Sequence, residues 1–291
     1  MEAALSTAQQ AEWTGRDVTI AEIERELAQL RSESMDLRTS MMTHLAWAPP
    51  EWQDASRETL AGLAELHPSR TILLFPQEGR RDALDADVAI ECYSLPGLER
   101  HVCSEVIELR LHGSLANSPA SVVLPLVLPD LPVFLRWRGH PAFGRPAFEQ
   151  LVDVVDRLVV DSREWDDVPE SYAELVPYFE RVAISDIVWG RTLRWRRAIA
   201  GLWPGVRAAT DLHVRGPLPE AMLLRGWLAS RLRREISLRH EAAEHVELLA
   251  IDGNEVVARE ERTSASDLLS NELDRFSRDE VYERAMDAAT A

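Results

Sequence analysis

HVCSEVIELRLHGSLANSPASVVLPLVLPDLPVFLRWRG, residues 101–139, contains the two strand patterns that decide the fold. Charged and apolar residues alternate over residues 105–111, which predicts a half-buried strand. A second strand is predicted at residues 133–135, and it leads directly into Arg136-Trp137-Arg138. Two guanidiniums beside an indole at a strand end are typical of an anchor for a protein partner or an anionic ligand.

Strand and helix patterns alternate outward from this stretch. In the first half, the patterns predict strands at residues 39–47, 69–75, 88–93 and 102–112, and helices at 51–66, around Phe148 and from a capping box at Thr19. In the second half, they predict helices at 192–203 and after Pro217, a strand near 206–214, a hairpin at Asp252-Gly253 and two C-terminal helices, the last with a capping box at Ser277. This order favours an α/β fold with two domains, each half a mixed sheet packed with helices.

The polar, acidic segment SREWDDVP at residues 162–169 is the predicted domain boundary. Residues 1–18 are expected to form a flexible tail, residues 19–165 an N-terminal α/β domain, and residues 170–291 a C-terminal α/β domain. With 291 residues, the chain is long enough for two such domains.

The composition excludes several classes of partner and chemistry. A net charge of −17 argues against nucleic acids and anionic membranes as partners, because affinity for polyanions needs a basic surface. The sequence has no 18-residue apolar segment and no signal-like start, and its two cysteines, Cys92 and Cys103, fit a reducing compartment without a disulfide framework. The expected location is therefore cytoplasmic, and the two cysteines are expected to be reduced. The alternative for the cysteines is that they pair as a redox switch. The absence of lysine excludes Schiff-base catalysis and a Walker A loop.

Candidate catalytic and metal motifs are weak, so no cofactor or metal is predicted. His240 and His245 are five residues apart, whereas a zinc-protease helix needs histidines four apart. His101, Cys103 and Glu105 share one strand face and could form a nucleophile or metal set, but a structural role is favoured because supporting residues are missing. The basic stretch 191–197 is interpreted as a salt-bridged helix face or a docking patch for an acidic partner, in preference to an RNA-stacking surface.

Six of the nine tryptophans are assigned to two groups. Trp203 and Trp227 have apolar helical neighbours and are interpreted as core residues. Trp47, Trp52, Trp137 and Trp195 lie beside proline, arginine or glutamate near element ends. Exposed aromatic residues flanked by arginine are typical of interface hot spots, although Trp137 could equally cap a sheet edge.

Several blocks together resemble the glucose-6-phosphate dehydrogenase assembly protein family (OpcA), in its actinobacterial form. The blocks are RTSMMTHLAW at residues 38–47, HPSRT at 67–71, RHVCSE at 100–105, LPDLPVFLRWR at 128–138 and GWLASRL at 226–232. The resemblance extends over nearly the whole chain from about residue 20.

The resemblance implies a non-catalytic activator that binds glucose-6-phosphate dehydrogenase, favours its active oligomer and supports the oxidative pentose phosphate pathway. Arg136, Trp137, Arg138 and Trp47 are then expected to form part of the dehydrogenase-binding surface. Two other functions remain open: an arginine-based sugar-phosphate or nucleotide-binding sensor or enzyme, and a scaffold that associates only with itself. Self-association cannot be decided from the sequence.

Overall fold

The chain forms two units with α/β architecture, as the alternating patterns predict. The computed structural model describes residues 7–33, 37–38, 40–61, 63, 67–79, 81–94, 101–259 and 264–291. The units are Met1–Leu158 and Val159–Ala291. Each contains a mixed sheet and several helices, which confirms the predicted fold class.

The first unit is built on a sheet of mostly long strands. Its strands are β1 (Thr7–Gly15), β2 (Leu37–Arg38), β3 (Thr43–Trp47), β4 (Arg70–Gln77), β5 (Ala83–Ser94), β6 (His101–His112) and β7 (Val133–Trp137). Its helices are α1 (Ile20–Glu33), α2 (Gln53–Ala61), α3 (Ala120–Val123) and α4 (Pro146–Val152). A further strand, β8 (Arg157–Val160), crosses the division between the units.

Within this unit the strand order is β1-β5-β6-β4-β3-β7, and β2 also pairs with β6. The four strands β6, β4, β3 and β7 run parallel to one another, whereas β5 and β1 add an antiparallel extension beside β6. Parallel strands covered on both faces are buried along their length, and all five residues of β3 and of β7 are buried, including the polar Thr43, His44 and Arg136.

The N-terminal residues depart from the expected flexible tail. Thr7–Gly15 instead forms β1, which pairs antiparallel with β5, while residues 1–6 lie outside the described part of the chain. The segment TAQQAEWTG contains few strand-forming residues, so its conformation depends on hydrogen bonds to β5. The helix begun by Thr19 is confirmed, because the Thr19 and Glu22 side chains cap each other's backbone N–H groups.

The predicted helix at residues 51–66 is shorter where it is described. A 3-10 turn at Pro50–Trp52 precedes α2, which ends at Ala61, and residues 62 and 64–66 lie outside the described residues. The predicted strand at 39–47 is narrowed to β3.

The second unit combines a small sheet with longer helices. Its remaining strands are β9 (Ala183–Asp186), β10 (Asp211–Gly216), β11 (Ser237–Ala242), β12 (Leu248–Ile251) and β13 (Asn254–Glu255). Its helices are α5 (Val168–Leu175), α6 (Ile187–Arg191), α7 (Leu193–Gly201), α8 (Leu218–Leu232), α9 (Ala265–Leu273) and α10 (Glu280–Thr290). Strands β11-β10-β12-β13 form one sheet in that order, with β10 and β11 parallel.

Two turn signals of the second half have different outcomes. The hairpin at Asp252-Gly253 is confirmed: both residues have positive φ, 47° and 81°, and they connect β12 to β13. The capping box predicted at Ser277 is wrong, because Asp279 is the N-cap of α10 and accepts from the backbone N–H groups of Val281 and Tyr282. The strand predicted near 206–214 begins at Asp211, after a 3-10 turn at Gly205–Ala208.

The two cysteines form a disulfide, contrary to the expectation of reduced thiols. Cys92 on β5 lies directly opposite Cys103 on β6, with Cα atoms 4.1 Å apart. Both side chains are 2% exposed. The antiparallel register between two consecutive strands therefore brings together the only two cysteines of the sequence.

Among the described residues, no helix is both long enough and apolar enough to cross a membrane.

Candidate functional site

The most informative place in the first unit is the carboxyl end of the neighbouring strands β3 and β7. Their last residues, Trp47 and Trp137, are paired in register. The two indoles stack with ring centroids 5.0 Å apart and an angle of 11° between their planes. Phe148 of α4 packs edge-on against Trp137, at a centroid distance of 4.9 Å. The three aromatic rings thus form one cluster at the strand ends.

This position is a topological switch point of the sheet. The chain continues from β3 to β4 on one side, and β7 is added later on the other side. In open α/β sheets, ligands bind in the crevice that opens at the carboxyl ends of the strands at such a point. Here the two stacked indoles, both buried, occupy the strand ends. The turn after β3 is Ala48-Pro49-Pro50, which lacks the glycines that let backbone approach a pyrophosphate.

The two arginines beside Trp137 are engaged within the protein. Arg138 Nη2 donates to the Thr59 hydroxyl at 2.7 Å and to the Ala55 carbonyl at 3.1 Å, both on α2. Its guanidinium also lies 5.8 Å from the centre of the Trp52 ring. Arg136 Nη1 donates to the carbonyl oxygen of Trp137. The Arg138 bonds tie the end of β7 to α2, and the Arg136 bond lies within β7.

The prediction that these residues form an exposed anchor is therefore wrong about their exposure. Trp47, Arg136, Trp137 and Arg138 do lie together, but none is more than 9% exposed. The sequence places them at strand ends correctly; it does not show that α2 and α4 cover those ends. Any part that these four residues play in partner binding stays a prediction.

A neutral histidine lies beside the two arginines. His44 on β3 is 2% exposed. Burial, followed by the charges of His67, Arg136 and Arg138, lowers the pKa of His44 to about 3. The imidazole is thus uncharged at neutral pH, which avoids a third buried positive charge near the guanidiniums.

The set His101, Cys103 and Glu105 has a structural explanation at two of its three positions. Cys103 is bonded to Cys92, and the His101 side chain lies outside the described residues. Glu105 accepts from Arg31 at 2.5 and 2.8 Å and from Arg70 at 2.7 Å. Burial raises the pKa of Glu105, but the hydrogen bonds and charges of these arginines outweigh it and lower the pKa. The carboxylate therefore joins α1 to β4 through β6.

The second unit contains a buried polar network that sequence reasoning missed. Ser162 donates its backbone N–H and its hydroxyl to Asp186, at 3.2 and 2.6 Å, and its hydroxyl lies 2.8 Å from that of Tyr172. Burial, with the charge of Asp161, raises the pKa of Asp186 to about 7. Arg191 pairs with Asp161 at 2.8 Å. Ser162 begins the segment predicted as the domain boundary, and only its full burial reveals its role.

One of the exposed aromatic residues of the second unit, Trp203, was expected in the core. Trp203, just beyond α7, is 61% exposed, and its neighbour Leu202 is 46% exposed. Trp227 is buried as predicted, whereas Trp195 is buried against expectation. α7 ends at Gly201, so Leu202 and Trp203 leave the helical register that would have turned them inward.

Some arginines of the basic stretch 191–197 are engaged within the protein, and at least one is exposed. Arg191 is salt-bridged to Asp161, and Arg196 lies 3.4 Å from the ring centre of Trp189. Burial lowers the pKa of Arg196 to about 10. Arg197, by contrast, is exposed.

Both units match sequence models of one family. Residues 61–176 match the model described as the glucose-6-phosphate dehydrogenase subunit N-terminal domain. Residues 182–286 match the corresponding C-terminal domain. Together the two models match well over half of the chain.

Similar curated proteins come from cyanobacteria and are named putative OxPP cycle protein OpcA. The protein of Nostoc punctiforme is 27% identical over 195 residues, which cover 63% of this chain and 42% of that protein. The protein of Synechocystis sp. is 26% identical over 59% of this chain and 38% of its own length, and that of Synechococcus elongatus 28% identical over 63% and 44%. The chain thus matches less than half the length of these relatives. With both of its units matched, the chain belongs to the OpcA family of glucose-6-phosphate dehydrogenase assembly proteins.

Proposed function

We propose that this chain is a non-catalytic assembly factor that binds glucose-6-phosphate dehydrogenase, favours its active oligomer and so supports the oxidative pentose phosphate pathway. The observation that carries the proposal is the match of both units to the two dehydrogenase-subunit models of one family. The names of the cyanobacterial relatives, which refer to the OxPP cycle, agree with it.

A non-catalytic role is supported by the packing of the switch point. The strand ends at which a nucleotide or sugar phosphate binds in this architecture are occupied by the buried, stacked rings of Trp47 and Trp137. The nearby guanidiniums of Arg136 and Arg138 donate to protein oxygen atoms instead of facing an open site. A sensor or enzyme built on arginine-held phosphate is therefore the weaker alternative.

Activation requires a difference in affinity. An effector shifts an equilibrium between oligomers only by binding the active one more tightly than the inactive one. A preference of about 2 kcal/mol shifts that equilibrium roughly thirtyfold.

We further propose that Arg136, Trp137, Arg138 and Trp47 contribute to dehydrogenase binding by holding the shape of the first unit. Because these side chains are buried, we expect their substitution to lower stability together with binding. A substitution that weakened binding without lowering stability would contradict this role.

The test is the rate of NADPH formation by the dehydrogenase of the same organism, measured across glucose 6-phosphate concentration with and without this protein. A saturable rise in turnover or fall in apparent KM supports the proposal. No change in rate, together with no co-elution, contradicts it. Stabilisation of the isolated chain by glucose 6-phosphate or NADP in a thermal-shift assay would favour the sensor instead.

A cytoplasmic location is part of the same proposal, since the substrate and cofactor of the dehydrogenase are cytoplasmic metabolites. Fractionation of cells that carry a tagged chain tests it.

A further inference from the structure

We propose that Leu202 and Trp203, with the flanking Arg197 and Arg207, form the surface through which the second unit docks onto a carboxylate-rich face of the dehydrogenase. This inference rests on the proposed function and adds to it the contact surface and the chemistry of the partner's side. We call these four residues the arginine–tryptophan patch.

The first observation is an unusual local charge. Residues 191–210 contain five arginines and no aspartate or glutamate, although the chain as a whole carries 49 acidic residues against 32 basic ones. Inside the unit, Asp161 pairs with Arg191, and the Trp189 ring lies under Arg196. Arg197 and Arg207 are exposed, and neither makes an ion pair with a described residue. Two positive charges are thus left for an external partner.

The second observation is exposed apolar area between these charges in the sequence. All residues from 200 to 205 are exposed. Trp203 at 61% and Leu202 at 46% are adjacent large hydrophobic side chains, and leaving both in water is unfavourable. Tryptophan and arginine are the residues most enriched in the energetic centres of protein interfaces.

The third observation is that the segment is held in place. The backbone N–H of Leu202 donates to Ile199, that of Trp203 to Ala200 and that of Arg207 to Pro204, at 3.0 to 3.2 Å. Ile199 and Val206, on either side of the exposed residues, are buried. A fixed segment loses less conformational entropy on binding than a mobile loop would.

Charge complementarity identifies the class of partner. Two arginines and a tryptophan fit an apolar recess lined by carboxylates on a protein. A nucleic acid or an anionic membrane would be repelled by the remainder of a chain with a net charge of −17. The patch also lies within residues 182–286, which match the C-terminal dehydrogenase-subunit model.

The experiment compares the affinity of the full-length chain and its variants for the purified dehydrogenase, by biolayer interferometry at two salt concentrations. We expect Trp203→Ala to weaken binding at least tenfold, and the double variant Arg197→Glu/Arg207→Glu to weaken it at least tenfold and to reduce its salt dependence. Matched controls in the first unit are Leu124→Ala, at a side chain that is 54% exposed, and Arg25→Glu, at an exposed arginine of α1. Both controls should bind within twofold of wild type.

Each outcome has a distinct meaning. Wild-type affinity in both patch variants, with activation of the dehydrogenase intact, overturns the patch and leaves the proposed function standing. A wild-type chain that neither binds nor activates overturns both. Loss of self-association in the patch variants, measured by light scattering without the dehydrogenase and accompanied by unchanged dehydrogenase binding, also overturns the proposal in favour of a second copy as the occupant.

Discussion

Gly226 of α8 lies directly against the backbone of α10. A Cβ atom at this position would overlap the carbonyl oxygen of Ala285 and would also meet Ala289. The carbonyl belongs to a helix and cannot rotate away as a side chain could. The two helices therefore pack at a distance that only glycine permits.

Replacing this glycine should destabilise the second unit. Gly226→Ala is expected to lower the free energy of unfolding by about 1–3 kcal/mol, because overpacking forces the helices apart. Urea unfolding measures the change. Gly201→Ala is the matched control: no heavy atom lies within 4 Å of its added methyl group, and its effect should not exceed about 1 kcal/mol. Equal losses in the two variants would contradict the packing argument.

Two tryptophan substitutions should lower stability by very different amounts. Trp137→Ala removes a side chain that is 2% exposed and stacked on Trp47, so we expect a loss of about 3–5 kcal/mol. Trp203→Ala removes an exposed ring, and the loss should stay near or below about 0.5 kcal/mol. Chemical denaturation of the two variants in parallel distinguishes them. A larger loss of stability in Trp203→Ala than in Trp137→Ala would contradict the assignment of Trp137 to the core and Trp203 to the surface.

Removing the Glu105 carboxylate should be costly. Glu105→Ala leaves the buried Arg70 without its ionic partner, and breaking a buried pair in this way costs about 3–5 kcal/mol. Asp54→Ala removes the carboxylate of an exposed pair with Arg57 and should change stability little. Folding lowers the pKa of Glu105 from its ordinary value. The stability that its carboxylate contributes is therefore present above the pKa of the unfolded chain, and it is lost as pH falls through the pKa of the folded chain.

Asp186 should produce the opposite pH dependence. Its pKa is raised to about 7 in the folded chain from an ordinary value of 3.8, so the folded state holds a proton that the unfolded state releases. The contribution of Asp186 to the free energy of unfolding is fully present below pH 3.8 and is lost as pH rises through about 7.

Asp186→Asn tests this sign. An asparagine oxygen can accept from the backbone N–H groups of Ser162 and Val188, and its amide can donate to the Ser162 hydroxyl. We expect stability to fall less between pH 4 and 7 in the variant than in the wild type, as measured by thermal unfolding across that range. Identical pH profiles would contradict the assignment.

The disulfide should make a measurable contribution to stability. Replacing both Cys92 and Cys103 with alanine should lower the free energy of unfolding of the oxidised protein by about 2–4 kcal/mol, since the bond closes a short loop in the unfolded chain. Thiol titration in denaturant should find no thiol before reduction and two after it. Two thiols before reduction would show that the cysteines are not bonded.

Local patterns predicted much of the fold, whereas contacts distant in sequence were not predictable. The alternation in β6, the cap at Thr19 and the turn at Asp252-Gly253 depend on residues a few positions apart, and all three are present. Trp47 and Trp137 are far apart in sequence and meet only through the register of β3 and β7. Neighbouring residues do not contain that register.

The same limit applies to burial. Apolar neighbours in the sequence placed Trp203 in the core, yet α7 ends before it. The arginines beside Trp137 indicated exposure, yet α2 provides oxygen acceptors for Arg138. The buried pair of Ser162 and Asp186 joins the segment predicted as the domain boundary to the end of β9, and no local pattern marks such a pair.

The stacked indoles at the end of β3 and β7 also matter for inhibitor design. A compound aimed at the strand ends would have to displace two aromatic rings that are almost entirely buried. Agents against this chain therefore belong on its outer surface, as peptides or antibody fragments that compete for a partner. A screen of nucleotide mimics would target strand ends that two buried indoles already occupy.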